Sequence, residues 1–174
     1  MCVKPSRTSY DHKPSKYHQG WYPLSHPEKY IKPADAYMQS TKFFKGKIYI
    51  QFKSSLEKNA IRYADMNPKV VKWSQEPFYV SYVKPIDNKT HRYFIDMFME
   101  FANGLKVLIE IKPRNQTVPP KKPKTMSAKQ VICYKEQVLT YVTNQAKWKA
   151  ANEFAVKNKM KFVVLTEEQL GGAR

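Results

Sequence analysis

Cysteine, glycine and acidic residues are scarce in this chain: its 174 residues hold two cysteines, five glycines, and 14 Asp plus Glu against 31 Lys plus Arg. Cys2 and Cys133 show no metal-ligand spacing and no reason to pair, so they read as free thiols. His12, His18, His26 and His91 also lack paired spacing, and zinc is not expected. Long apolar runs are missing too. Nothing approaches the roughly 20 residues of a membrane-spanning helix and no hydrophobic signal opens the chain, so a non-membrane, intracellular protein is expected. No internal repeat is visible. The shortage of acid leaves a formal net charge of +17. A field of that sign draws polyanions, nucleic acid first and acidic membrane second; a basic but inert surface is the bland alternative.

What is present suffices for a core. Hydrophobic residues make up 42% of the chain and aromatics 14%, at a length that fits one domain with an appended arm. Residues 1–45 interleave Pro5, Pro14, Pro23, Pro27 and Pro33 with Lys and Tyr, a composition that resists helix and sheet ladders and predicts an extended basic arm. Its aromatics, Tyr10, Tyr17, Trp21, Tyr22, Tyr30 and Tyr37, suit either packing along the core or stacking on bases. Residues 46–174 read as the folded domain. Lys47 to Phe52 predicts a strand, and "SSLEKNAIRYADMNP" a helix with Leu56, Ala60, Tyr63 and Ala64 on one stripe, ended by Asn67 and Pro68. "VVKW", "FYVSYV", "HRYFIDMFMEF" and "LKVLIEIKP" then predict four strands in an antiparallel meander. A helical region over 127–159, with a candidate break near Asn144, precedes the last strand, "KFVVLTE". The fold class is α/β, with helices covering a sheet.

Charge sits where alternation makes it conspicuous. In "LKVLIEIKP", period two puts Leu108, Glu110 and Lys112 on one face and Val107, Ile109 and Ile111 on the other. The "ANG" turn decides what lies opposite them. A two-residue Asn103-Gly104 turn sets Met97 across from Glu110. A three-residue loop with Gly104 left-handed pairs Phe101 with Leu105 and therefore Asp96 with Glu110. Both turns suit the sequence. Paired carboxylates repel unless a proton or cation lies between them, and a divalent cation such as Mg²⁺ resolves the conflict. Asp96 and Glu110 would be its ligands, helped by the Ile111 carbonyl, with Lys112 stabilising charge on a phosphate. The alternative is a solvated sheet face. Glu57, one turn into the first helix, is a third candidate; "SSLE" equally fits a capping box with Ser54 as N-cap.

At this point the text resembles a known family. A helical Glu57, then Asp96, then Glu110-Ile111-Lys112 looks like the PD-(D/E)xK nuclease superfamily. The longer segments, "SSLEKNAIRYADMNPKVVKWSQEPFYVSYVKPIDNKTHRYFIDMFMEFANGLKVLIEIKP" and "NQAKWKAANEFAVKNKMKFVVLTEEQL", resemble the TnsA-type endonucleases and, most closely, the head completion nucleases of tailed phages. "GWYPLSHPEKYI" is similar to that phage family's opening. The resemblance implies a restriction-endonuclease-like core with a mixed central sheet flanked by helices. It also implies a Mg²⁺-dependent DNA endonuclease, Mn²⁺ substituting, with Glu57, Asp96, Glu110 and Lys112 as active-site residues. Its partners would be DNA and portal, neck or other head proteins, and its place the host cytoplasm during assembly or the virion head and neck. One departure stands out: the superfamily's usual proline before the first aspartate is Ile95 here. Gln145, Lys147 and Trp148 match the family's "NQAKW" helix, expected to flank the cleft, where Lys147 would meet DNA and Trp148 suits the core.

The loop carrying Arg114, Lys121, Lys122 and Lys124 has no acidic residue and reads as a phosphate track or a solvated loop. Two further functions compete with the enzyme. A non-catalytic head-completion protein binding DNA and the portal vertex would use the same basic field. An RNA-binding protein explains the charge but not the paired carboxylates.

Overall fold

Alternating hydrophobicity resolves into nine strands and two α-helices within residues 19–33, 41–123 and 127–171, the parts of the chain that the computed structural model describes. In chain order they are β1 (Gly20–Pro23), β2 (Thr41–Phe44), β3 (Lys47–Phe52), α1 (Ser55–Met66), β4 (Val70–Gln75), β5 (Tyr79–Lys84), β6 (Lys89–Phe94), β7 (Met97–Phe101), β8 (Lys106–Ile111), α2 (Ala128–Lys157) and β9 (Lys161–Leu165). The central sheet has the order β4-β7-β8-β9. It is mixed: β4, β7 and β8 run antiparallel in turn, and β9 returns parallel to β8 after α2 crosses over. The α/β fold class with a mixed sheet flanked by helices is therefore the observed one.

Both faces of that sheet are covered. On one, Val107, Ile109 and Ile111 of β8 join Val70, Trp73, Met97 and Met99 under Ala60, Ile61 and Ala64 of α1 and Ile50 and Phe52 of β3. The small alanines let the helix lie close to the sheet. On the other, Leu108 packs with Val80, Tyr82, Tyr93 and Ile95 and with Ala151 and Ala155 of α2. Helix α1 starts where expected: the Ser54 hydroxyl accepts the Glu57 N–H at 3.1 Å, and Asn67 closes the other end.

Three sequence expectations give way here. "HRYFIDMFMEF" is not one strand, because the chain leaves one sheet for another at Ile95-Asp96: β6 pairs only with β5, in a separate two-stranded sheet, while β7 pairs with β4 and β8. The reason is local. The Ile95 N–H donates to the Phe78 carbonyl and the Asp96 carbonyl accepts the Glu76 N–H, so the segment after β4 takes over the ladder at the break. The meander expected in sequence is accordingly not one in space, and Phe94, at the end of β6, is exposed. Helix α2 runs unbroken for 30 residues, with Asn144 buried on its sheet side instead of marking a kink. Finally, the described parts of 1–45 are extended but are not an appendage. β1 and β2 both pair antiparallel with β3, so the boundary drawn after residue 45 falls in the β2–β3 turn. Proline is tolerated because Pro23 lies on edge strand β1. Tyr22 and Tyr30 pack on the core. Cys2, His12, His18, Tyr10, Tyr17, Tyr37, Pro5, Pro14 and Lys124 lie outside the described residues.

Candidate active site

The turn at Ala102-Asn103-Gly104 sets the geometry. Gly104 has φ +81°, its N–H donates to the Phe101 carbonyl at 2.8 Å, and the Phe101 N–H donates to the Leu105 carbonyl at 2.9 Å. This is the three-residue loop, and pairing runs from Glu100↔Lys106 to Met97↔Ile109. One step further along the same register, Asp96 comes to the level of Glu110. Its Oδ2 accepts the Ile111 N–H at 2.8 Å, so the Asp96 side chain continues the ladder just before β7 begins.

Burial makes this a charged site within a packed interior. Glu110 is 1% exposed, on the face covered by the β5–β6 hairpin and α2. Its Oε1 is 2.7 Å from the Lys112 ammonium, and its Oε2 accepts the Tyr93 hydroxyl at 2.5 Å. Lys112 Nζ also lies 3.6 Å from Asp96 Oδ2 and donates to the Ile111 carbonyl at 3.3 Å. One cation therefore serves two carboxylates. Burial first, and then the charge of Asp96, push the Glu110 carboxyl up to about 7, against the pull of Lys112 and Tyr93. For Lys112, burial opposes the charge, but the Asp96 and Glu110 carboxylates outweigh it and its pKa is raised. Burial, followed by Glu110, raises the Tyr93 phenol, which stays protonated and donates.

Glu57 stands across a small cavity of about 90 Å³ that it lines with Lys53, Gln75, Glu76 and Asp96. Its Oε2 accepts the Lys53 N–H at 2.8 Å and its Oε1 the Ser54 hydroxyl at 3.3 Å, so the helix-capping role is realised. Burial and, further down, Asp96 still raise its pKa, the Lys53 N–H opposing. Among the described residues, no group of three or more His, Cys, Asp or Glu is gathered tightly enough to hold a metal. What is gathered is a pair of carboxylates with the Ile111 carbonyl. That set fits Mg²⁺, which commonly takes one or two protein carboxylates and completes its shell with water and phosphate oxygens.

The expected DNA-contacting residues separate. Lys147 of α2 comes to the site, its Nζ 5.4 Å from the Tyr93 ring centroid and 5.8 Å from that of Tyr82. Burial lowers its pKa, with Glu110 opposing. Arg114 differs from expectation: Glu168 pairs with its guanidinium and Glu167 accepts its N–H at 2.9 Å, both from the segment after β9. A loop without acid in sequence thus acquires two acidic neighbours by folding. Lys121 and Lys122 are exposed. Trp148 packs, partly buried, against the α2-side core, and Ile95, in the place of the usual proline, is fully buried there.

Several residues of this centre carried no sequence signal. Tyr93 reaches Glu110 from a different sheet, so strand parity could not place it. Glu76 adopts φ +46°, a strained conformation for a non-glycine residue, and Lys53 bridges to it at 2.9 Å. Gln75 is buried with its Oε1 lacking a hydrogen-bond partner among the described residues.

Comparison with known proteins agrees with this geometry. The family model described as "TnsA-like endonuclease N terminal" matches residues 67–167, a span that contains Asp96, Glu110 and Lys112 and begins after Glu57. The chain is also 35% identical over 121 residues to the head completion nuclease of Enterobacteria phage T4, covering 70% of this chain and 81% of that protein. Both matches run through the β7–β8 hairpin and its carboxylates, and the chain belongs to the TnsA-like endonuclease family, among the phage head completion nucleases.

Proposed function

We propose that the protein is a Mg²⁺-dependent endodeoxyribonuclease, with Mn²⁺ able to substitute, that hydrolyses phosphodiester bonds at or near the packaged DNA end during head completion. The observation that carries this reading is that one ammonium, Lys112, reaches both the buried Glu110 carboxylate and the half-buried Asp96 carboxylate. Asp96, Glu110 and the Ile111 carbonyl would hold the cation, which supplies Lewis-acid activation of water and charge neutralisation at the phosphate. Lys112 orients both carboxylates and places positive charge where the phosphate gains negative charge. Tyr93 fixes the Glu110 carboxylate through Oε2 and leaves its other oxygen to Lys112. Glu57, held by the cap at the start of α1, would act from across the cavity on bound water. Lys147 would meet the DNA backbone beside the site, with the exposed Lys121 and Lys122 as further phosphate contacts and Arg114 only once Glu168 releases it.

Portal, neck or other head proteins as partners, and the host cytoplasm followed by the virion head or neck as location, rest on the name of the phage relative alone. The test of catalysis is plasmid cleavage with Mg²⁺ or Mn²⁺ by wild type and by Glu110→Ala, with thermal melts confirming that both fold. Cleavage by wild type alone is expected. Equal cutting by the variant removes Glu110 from the mechanism. Retained infectivity with Asp96→Asn despite lost cleavage would favour a non-catalytic completion role.

A further inference from the structure

The small sheet of β1, β3 and β2 buries one face and presents the other. Cross-strand partners share a face, so the register Trp21↔Gln51, Pro23↔Tyr49, Lys42↔Tyr49 and Phe44↔Lys47 puts these residues together on one side. Ile50 and Phe52 point to the other side, into the core. The outward side is unusual for a solvated sheet. It carries three aromatic rings, with Trp21 37% and Phe44 54% exposed and Tyr49 half-buried. Lysines lie against the rings: Lys42 Nζ is 4.3 Å from the Trp21 centroid and 5.4 Å from that of Tyr49, and Lys45 Nζ is 5.4 Å from Phe44. Lys47 is exposed beside them, and no residue of this face is acidic.

We propose that this face is a stacking platform for unpaired DNA, which holds a single-stranded stretch of the substrate beside the active site. Exposed rings give a binding surface for bases whose own faces are free, which the stacked interior of a duplex does not offer, and the flexible lysines that lie over the rings would turn to the intervening phosphates as bases take their place. The rings form a diagonal from Trp21, opposite Gln51, to Phe44, opposite Lys47. That spans about 13 Å along β3, enough for a few nucleotides. The Trp21 end of the diagonal is the end nearest the chemistry. β3 runs directly into Lys53, which lines the cavity with Glu57 and Asp96. Binding to the platform stands on the face itself; only its role in presenting substrate rests on the proposed nuclease activity.

The test is fluorescence anisotropy, in chelator so that nothing is cut, with a labelled oligothymidylate and a blunt duplex of equal length. The full-length wild type should prefer the oligothymidylate. Trp21→Ala and Phe44→Ala should each weaken that binding about tenfold while leaving duplex binding unchanged. Lys42→Ala should reduce the salt slope of single-strand binding by about 0.7. These side chains are exposed, so the variants should melt as wild type does. Equal affinity for the two DNAs, or variants that bind oligothymidylate as wild type does, would overturn the platform. Wild type that cuts plasmid with Mg²⁺ yet shows no preference for oligothymidylate would overturn the platform and leave the nuclease assignment standing, whereas that preference without any cleavage would do the reverse.

Discussion

Two buried carboxylates, one in α1 and one in β8, are treated in opposite ways by the same fold. Asp65 is fully buried and surrounded by donors: Ser25 N–H at 2.9 Å, His26 N–H at 2.8 Å and the Tyr22 hydroxyl at 3.2 Å. Its charge is satisfied, and it ties the segment after β1 to the end of α1. Glu110 is as deeply buried, but it faces a second carboxylate and shares Lys112 with it. The first arrangement satisfies the buried charge within the protein; the second leaves two carboxylates to share one ammonium, the imbalance expected of a functional site. Burial of a carboxylate is thus no sign of function by itself. The balance of donors and like charges around it is.

The sharpest way to break the comparison is to neutralise each acid. Glu110→Gln should lower the plasmid cleavage rate about 1000-fold or more while leaving stability unchanged or raised, because it removes the repulsion from Asp96 along with the proposed metal ligand. Asp65→Ala should do the reverse. It strands two backbone N–H groups and should cost about 3 kcal/mol in urea unfolding, with cleavage per folded molecule largely kept.

A pH series without metal sharpens the contrast. Glu110, with a folded pKa of about 7 against an ordinary value of 4.5, binds its proton more tightly folded than unfolded. Its contribution is therefore full below about 4.5 and is lost as pH rises through 7, a change on the order of 3 kcal/mol. The wild-type minus Glu110→Gln difference in stability should fall across that window, and Mg²⁺ should flatten it while releasing protons. The smallest effect expected is that of Tyr93→Phe, which frees Glu110 Oε2 without removing a charge. Cleavage should drop about tenfold, with a raised Mg²⁺ requirement as the mark of a misplaced ligand.

Much of the hairpin that carries the candidate site could be read in advance. Alternation placed Glu110 with Lys112, and the "ANG" loop offered a register that pairs Asp96 with Glu110, because turn length and strand period together leave few options. The choice between two turns was not legible, since both satisfy the same residues. Nor was the break at Ile95-Asp96. The run reads as one strand, and only the contacts with Phe78 and Glu76, far from the pattern of the run itself, divert it. Tyr93, Glu76 and the donors around Asp65 were invisible for the same reason, as was the pairing of Arg114 with Glu168. The prolines of the opening stretch misled in the other direction, because an edge strand does not need every N–H.

The sequence by itself determined most elements from β3 onward, the basic field and the spacing of acid, acid and lysine along the chain, since these depend on period and charge that are local to it. The tertiary structure decided which charges are buried, which are paired and which are left one cation short. Those depend on what a second sheet and a helix from distant parts of the chain bring against the same face, and no local pattern encodes that.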